Sequence, residues 1–131
     1  MSMLKTTLLG AALWVGLSLS LPASAHPKLL SSIPAAGAQG AAPAVIELHF
    51  SENLLTQFSG AKLIMTDMTD MPGMPNSPMP VKASVSASSD PKVMLIKPVS
   101  ALTTGSYRVD WRAVSSDTHP ITGNVVFSVQ P

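Results

Sequence analysis

The stretch Tyr107-Arg108-Val109-Asp110-Trp111-Arg112 decides the fold class, because apolar and charged side chains alternate through it. In an extended chain the apolar residues share one face and the charged residues share the other, which is typical of a strand with one buried side. Strands are predicted in the same way at 28–33, 46–51, 63–65, 81–87, 93–97 and 125–129. Turn signals separate these segments, and together they predict an all-β domain, a single Greek-key β-sandwich or barrel of about seven strands.

The first 25 residues have the composition of a cleavable secretory signal peptide. Lys5 precedes an apolar run at 6–21, and Ala23-Ser24-Ala25 is a small-residue cleavage site. The run is short for a membrane span, which needs about 20 residues, so no stable membrane insertion is expected. Cleavage after Ala25 leaves residues 26–131, which is enough chain for one exported domain with a modest core.

Composition narrows the chemistry that is open to residues 26–131. Seven basic and seven acidic side chains give them a formal net charge of zero, so nothing favours binding to nucleic acid or to an anionic membrane. The chain has no cysteine, although small exported domains often use disulfides. Stability must therefore come from the core, and any soft metal ligand must be a methionine.

His26 becomes the N-terminal residue if the signal is cleaved, and it then offers an α-amine and an imidazole to one metal ion. Asp117 and His119 are two residues apart, so in extended backbone their side chains leave the chain on the same face. If His26 comes beside them, three nitrogens and one oxygen are available, a set that suits tetragonal Cu(II). The amine must lose a proton to bind, so affinity should weaken as the pH falls.

Simpler explanations exist for these residues. An exposed Asp-x-His pair is commonly structural or solvated, and a histidine after a cleavage site is sometimes accidental. Ser115 also lies too close in sequence to Asp117 and His119 for the three to form a hydrolase relay. His49 lies on the polar side of its predicted strand and is expected to be a surface residue outside the site. Glu52 follows that strand and is a candidate for an acidic residue that contacts a metal ligand without binding the ion, although no spacing requires this role.

A second candidate site lies at 65–80, where the sequence is MTDMTDMPGMPNSPMP. Its prolines and its glycine predict a loop, and such a loop places methionine poorly for filling a core. Thioethers are soft neutral ligands that select Cu(I), so the segment predicts a Cu(I) site. The alternative is an adaptable apolar surface for a partner protein. The methionines concerned are Met65, Met68, Met71, Met74 and Met79.

Four motifs resemble the CopC family of periplasmic copper-resistance proteins, and the resemblance runs from His26 to the end of the chain. It implies a cupredoxin-like β-sandwich that acts as a soluble periplasmic copper carrier and not as an enzyme. The motifs are His26-Pro27-Lys28, IELHFSEN at 46–53, Met71-Pro72-Gly73-Met74 with Met79, and the long and specific VDWRAVSSDTHPITG at 109–123.

Carried over by position, the resemblance implies that His26, Asp117 and His119 bind Cu(II) and that the five methionines of the loop bind Cu(I), at opposite ends of the domain. Copper ions are then the ligands, copper-handling membrane or outer-membrane proteins are the expected partners, and the carrier is expected to be a monomer. The loop departs from the family pattern, since Asn76 stands where close relatives place a histidine and Thr69-Asp70-Met71 is an additional triplet. An all-thioether Cu(I) site is therefore expected, with three or four of the methionines as ligands.

Two other functions fit parts of the pattern. An N-terminal histidine with a second histidine resembles the copper brace of polysaccharide monooxygenases, which are oxidative enzymes. Against this, residues 26–131 contain only five aromatic residues, and Asp117 would occupy the position that such an enzyme keeps open for oxygen. The other alternative is a secreted interaction module whose methionines contact a partner and whose histidines are incidental.

Overall fold

The computed structural model describes residues 26–67 and 78–131, and within them nine β-strands form two sheets. These residues contain no helix, and so none that could cross a membrane. The strands are β1 (Leu29–Ile33), β2 (Gln39–Gly40), β3 (Ile46–Phe50), β4 (Gly60–Asp67), β5 (Met79–Val81), β6 (Ala83–Ala87), β7 (Val93–Pro98), β8 (Gly105–Ala113) and β9 (Ile121–Val129).

The strands are divided between a four-stranded and a five-stranded sheet, whose inner faces share one core. The order is β1-β3-β7-β6 in the first sheet and β2-β9-β8-β4-β5 in the second. Neighbouring strands are antiparallel except for β2, which pairs in parallel with β9. This arrangement of two layers confirms the predicted all-β class and gives a β-sandwich.

The core is built from the alternating residues of the central strands. They include Ile46, Leu48 and Phe50 of β3 and Tyr107, Val109 and Trp111 of β8, all of which are buried. The ring of Tyr107 stacks on that of Phe127 with 5.5 Å between centroids, and its hydroxyl donates a 2.6 Å hydrogen bond to the carbonyl of Thr103. The stretch 107–112 therefore has the buried apolar face that its period of two predicts.

Trp111 packs in the core near the C-terminal end of β8. Its ring meets that of Phe50 edge-on, with centroids 5.1 Å apart. Gly123 lies opposite Trp111 in the β8–β9 pair, and a Cβ atom at position 123 would lie 2.5 Å from the indole ring. The sheet therefore needs glycine at this position to admit the indole.

The segment predicted as one strand at 81–87 is two strands in different sheets. Val81 of β5 pairs with Leu63 in the five-stranded sheet, and Ala83 of β6 pairs with Pro98 in the four-stranded sheet. The chain crosses from one layer to the other at Lys82. Both strands are extended, so the alternation of side chains gives no sign of the crossing.

Two further boundaries differ from the prediction. The predicted loop at 65–80 is strand at both of its ends, because β4 continues to Asp67 and β5 begins at Met79. Strand β2 has only two residues, too few to show a period in the sequence. Residues 68–77 and the predicted signal peptide at 1–25 lie outside the described residues.

Candidate metal centre

His26 is held at one end of the sandwich by the residues that follow it. Pro27 is fully buried. The backbone N–H of Lys28 donates a 2.9 Å hydrogen bond to Oγ of Ser51, and the N–H of Ser51 returns one of 2.9 Å to the carbonyl of Lys28. Leu29 then lies opposite Phe50 in the β1–β3 pair. The start of the domain is thus anchored beside the end of β3.

Asp117 and His119 lie in the β8–β9 turn, which we define as residues 114–120. The sequence argument assumed extended backbone at this point. The backbone instead turns at Thr118, whose φ of 63° lies in the left-handed region. The N–H of Thr118 donates to the carbonyl of Ser115 at 2.9 Å, and the N–H of His119 donates to Oδ1 of Asp117 at 3.1 Å. A hydrogen-bonded turn, and not strand alternation, therefore brings the two side chains together.

The turn and the N-terminal segment meet in a three-residue cluster formed by His26, Asp117 and His119. Nδ1 of His26 lies 2.5 Å from Oδ2 of Asp117, and Nδ1 of His119 lies 3.8 Å from the same oxygen. The two imidazole rings are 5.7 Å apart between centroids. One candidate ligand atom from each residue lies within 4.8 Å of the others, and the described part of the chain contains no other such group of three.

Opposing influences act on the carboxyl group of Asp117. Its partial burial raises the pKa, whereas the hydrogen bond from the backbone N–H of His119 lowers it. The positive charges that His26 and His119 can carry and the hydroxyl of Ser115 lower it further, so that the pKa lies below its ordinary value. The carboxylate is therefore ionised at neutral pH, the state in which it can bind a metal ion.

The cluster presents two imidazole nitrogens and one carboxylate oxygen to solvent. The side chains of His26 and His119 are 52% and 72% exposed, whereas that of Asp117 is 18% exposed, so an ion can approach over the carboxylate. Nitrogen and oxygen ligands of this kind suit Cu(II), whereas a soft ion such as Cu(I) prefers sulfur. The residues therefore fit a divalent copper ion.

The remaining histidine lies elsewhere. His49 is on β3, where its Nε2 lies 2.9 Å from Oε1 of Glu47, and both side chains are about one-third exposed. Glu52 is not a member of the three-residue cluster. The structure thus keeps His49 apart from the other two histidines, as the pattern of its strand predicts.

The two described methionines of the predicted Cu(I) site, Met65 and Met79, flank the segment 68–77 that lies outside the described residues. Met65 of β4 lies opposite Met79 of β5, so the two strands bring the ends of the segment together. Met65 is buried in the core at 7% exposure, whereas Met79 is 50% exposed. Met68, Met71 and Met74 lie in the segment that the structure does not describe.

The methionine end and the histidine end of the sandwich are separated along β8. Met65 lies opposite Tyr107 near the start of that strand, and the β8–β9 turn follows Ala113 at its end. Six residue steps of strand span about 20 Å. The topology therefore places Met65 and Met79 near one end of β8 and the three-residue cluster near the other.

Three residues support the cluster without being predicted from the sequence. Pro27 and Ser51 anchor the N-terminal segment, and Ser115 donates a 3.3 Å hydrogen bond to Oδ1 of Asp117. The proline directly after His26 has a restricted φ, and the sequence therefore indicates that the backbone is rigid where the domain begins. The roles of Ser51 and Ser115 depend on contacts across the fold, which no local pattern reveals.

A two-sheet β-sandwich with two histidines and a carboxylate at one end is a small all-β domain with a candidate centre for a divalent metal ion. Residues 29–130 match the CopC domain, and the chain therefore belongs to the CopC family. This confirms the resemblance found in the motifs of the sequence.

Relatives of similar length extend the match over most of the chain. It is 65% identical to copper resistance protein C of Pseudomonas syringae pv. tomato over 115 residues, covering 88% of this chain and 89% of that protein. It is 55% identical to copper resistance protein C of Escherichia coli over 130 residues, covering 99% of this chain and 100% of the other.

Solved structures agree with the fold. The crystal structure of PcoC, a methionine-rich copper resistance protein from Escherichia coli, has a TM-score of 0.73 at 58% identity, covering 81% of this chain and 100% of that one. CopC from Methylosinus trichosporium OB3b has a TM-score of 0.64 at 25% identity, covering 81% and 95%. The β-sandwich is thus common to relatives that differ widely in sequence.

Proposed function

We propose that this chain is a periplasmic copper carrier that serves copper resistance and is exported by its N-terminal signal peptide. Relatives that are 65% and 55% identical bear the name copper resistance protein C, and this supports a role in copper resistance. The observation that carries the proposal is the convergence of His26, Asp117 and His119, whose candidate ligand atoms lie within 4.8 Å of one another.

The Cu(II) site consists of the cluster and of the α-amine that cleavage after Ala25 would create on His26. The amine and the imidazole of one residue form a chelate, which an internal histidine cannot form with its amide nitrogen. With His119 and Asp117 they provide three nitrogens and one oxygen, which suits tetragonal Cu(II). Burial of Pro27 supports this site, because it fixes the position at which the new terminus begins.

The Cu(I) site consists of Met65, Met68, Met71, Met74 and Met79, of which three or four bind at once. The register of Met65 opposite Met79 supports a site at the base of the segment between β4 and β5. The distance along β8 supports two independent sites, one for each oxidation state. Such a carrier exchanges copper with membrane or outer-membrane proteins as a monomer, and each site prefers copper in one oxidation state.

A carrier fits the cluster better than an oxidative enzyme does. An enzyme that activates oxygen at a histidine brace needs an open position on its copper ion. Oδ2 of Asp117 lies 2.5 Å from Nδ1 of His26 and 3.8 Å from Nδ1 of His119, so a copper ion held by the two histidines would have this carboxylate as a further ligand. A ligand set closed by a carboxylate favours holding the ion.

The test is a Cu(II) titration followed by EPR on two forms of the protein, one that begins at His26 and one with a single extra glycine before it. We expect a tight, nitrogen-rich tetragonal signal in the first form and a weaker, altered one in the second. Identical spectra and affinities would remove the amine from the site.

Two matched variants test the rest of the ligand set. His119→Ala should weaken Cu(II) binding about tenfold or more, since loss of a ligand costs at least as much as loss of one of its supporting contacts. His49→Ala, which removes a histidine on another strand, should leave the affinity unchanged. Equal effects of the two substitutions would contradict the proposed site.

A further inference from the structure

The lysines of the domain are concentrated around one edge of the four-stranded sheet. Lys82 directly precedes the edge strand β6, and Lys97 lies on the neighbouring strand β7. Lys62 of β4 lines a groove together with Lys82 and Ala83, the first residue of β6. We call Lys62, Lys82 and Lys97 the lysine rim. All three are exposed, and the salt bridges among the described residues involve no lysine.

The acidic residue that follows β6 is already occupied. Oδ1 of Asp90 accepts a 2.9 Å hydrogen bond from the backbone N–H of Lys92. Other described carboxylates have partners on other strands, since Glu47 lies beside His49 on β3 and Asp110 beside Arg108 on β8. The lysine rim is therefore a local excess of positive charge in a domain whose formal net charge is zero, and it is complementary to an acidic ligand.

The backbone of β6 is able to bind a further strand. Strand β6 has five residues, no proline and a regular register with β7. The carbonyl of Lys82 accepts from Val99, and the N–H of Ser88 donates to Val93. Bonded and non-bonded positions alternate along an antiparallel pair, so the N–H and C=O groups at 83, 85 and 87 point away from β7. An extended segment placed along β6 could bond to them, as in recognition by strand addition.

The core is incompletely covered beside this edge. Val85 lies opposite Ile96, a core residue with no exposed surface, so the side chain of Val85 points to the inner face of the sheet. It is nevertheless 39% exposed. A groove of about 120 Å³ lies there, with Leu54, Val85 and Met94 among its apolar lining. An added strand would direct an apolar side chain into this groove.

The outer face of the same edge suits acidic side chains. Ser84 lies opposite Lys97, and both side chains are exposed. Strands are about 4.8 Å apart, so a residue added opposite Ser84 would lie about 10 Å from Lys97 between Cα atoms. Lysine and glutamate together can span this distance over a small serine. The alternating faces of a strand thus require an apolar residue toward the groove and an acidic residue toward the lysine rim.

We propose that β6 binds a partner protein by strand addition, and that the partner supplies an extended segment in which acidic and apolar residues alternate. Backbone bonds at 83, 85 and 87 give the affinity, while the groove and the lysine rim select the side chains. Strand β1, which follows His26, is the opposite edge of this sheet. A bound partner would therefore leave the histidine cluster accessible, and the proposal is independent of the copper function.

The first test measures binding of a labelled short peptide in which glutamate and valine alternate. The protein that begins at His26 is titrated without copper, and fluorescence anisotropy of the peptide reports binding. We expect saturation with a Kd between about 10 µM and about 1 mM, the range of weak affinities. A peptide with glutamine for glutamate, and one with its glutamates and valines in separate blocks, should each bind about tenfold more weakly. Absence of saturable binding by the alternating peptide up to about 1 mM would overturn the proposal.

Hydrogen exchange followed by NMR separates strand addition from attraction between charges alone. With peptide near saturation, the N–H groups of Val85 and Ala87 should exchange about fivefold or more slowly than in the free protein. Those of Ser84 and Ser86 should change less, because the pattern of the pair bonds them to β7 already. Unchanged exchange at Val85 and Ala87 would show that the peptide binds elsewhere, on another charged surface, and would contradict the proposal.

Two charge reversals test the lysine rim. Lys97→Glu replaces attraction by repulsion and should weaken binding about fivefold or more. Lys28→Glu is the matched control, because Lys28 precedes β1 at the opposite edge of the sheet, and it should change the Kd less than about twofold. Salt at about 1 M, where charges are screened beyond about 3 Å, should weaken binding to the wild type as well. Thermal unfolding verifies that both variants are folded. Equal effects of the two reversals would show that net charge alone matters and would overturn the assignment to β6.

Discussion

At the scale of single residues, Thr118 determines how Asp117 and His119 are presented. Its φ of 63° is uncommon for a β-branched residue, and such backbone strain costs about 1–3 kcal/mol. Hydrogen bonds within the turn hold the conformation, including one of 2.6 Å from the hydroxyl of Thr118 to the carbonyl of Asp117. The strain lies between two candidate ligands, and strained backbone of this kind is often found at functional sites.

Asp117 gives the metal-free protein a predictable dependence on pH. Its folded-state pKa lies below the ordinary value, so its ionised form stabilises the fold above the unfolded-state pKa. That contribution is lost as the pH falls through the folded-state pKa. Asp117→Asn should therefore be less stable than the wild type near neutral pH, and the difference should shrink in acid. Urea unfolding of both proteins with a chelator, from about pH 7 to about pH 3, measures the difference; a constant or widening gap would contradict the argument.

At the scale of elements, the sequence predicts strands wherever one face of a strand is buried throughout its length. Strands β3 and β8 are of this kind, and their alternating residues are those of the core. This prediction fails at the crossing between β5 and β6. Lys82 lies in extended chain like its neighbours, but the strand that pairs with the chain changes there from β4 to β7. Pairing partners are a property of the whole fold, so a local period cannot report them.

In the candidate metal centre, too, the sequence predicts one part, the ligands, and leaves another part, the conformation that brings them together, unpredicted. The residue types and the spacing of Asp117 and His119 suffice to nominate the ligands, since the chain has only three histidines. The left-handed conformation of Thr118 and the support from Ser51 and Ser115 cannot be read from the chain. Threonine has no preference for a positive φ, and the two serines act through residues distant in sequence or through a particular turn.

The β8–β9 pair contains a contact that can be tested by overpacking. Gly123→Ala places a methyl group 2.5 Å from the ring of Trp111 and should destabilise the protein by about 1–3 kcal/mol. Gly60→Ala in β4 is the matched control, because no atom lies within 4 Å of its added Cβ. Its effect should stay within about 0.5 kcal/mol in the same urea titration. An equally small cost for Gly123→Ala would show that the indole adjusts freely.

The β4–β5 pair separates two roles of methionine. Met79 is half-exposed, whereas Met65 is buried and its terminal methyl lies beneath Gly105. Met79→Leu should therefore weaken Cu(I) binding about tenfold or more, and Met65→Leu should weaken it less. Both should unfold within about 1.5 kcal/mol of the wild type, because leucine conserves volume. Competition with a Cu(I) chelator gives the affinities, and a larger loss for Met65→Leu would show that its side chain leaves the core to bind.

At the scale of the whole molecule, the histidine cluster joins segments that are far apart in sequence. His26 precedes β1 by three residues, and Asp117 and His119 lie between the last two strands. An ion bound by all three would link the two sheets at one end, because β1 belongs to the four-stranded sheet and β8 and β9 to the other. Binding is therefore coupled to the stability of the complete sandwich.

This coupling predicts stabilisation by copper. With free Cu(II) at about 100 times its Kd, the protein that begins at His26 should gain about 2.7 kcal/mol of unfolding free energy. His119→Ala should gain much less at the same copper concentration, and His49→Ala should gain as much as the wild type. Chemical unfolding with and without copper measures the gain. If His119→Ala were stabilised as strongly as the wild type, binding would have to occur elsewhere.

The wide separation of these residues along the chain also sets an order of events. A chain whose C-terminal part has not yet been made, or has been cut off, possesses His26 but not the turn that carries Asp117 and His119. The cluster exists only after the final hairpin has closed on the rest of the domain. If the cluster binds Cu(II) as proposed, binding by all three residues would require a molecule whose folding is complete.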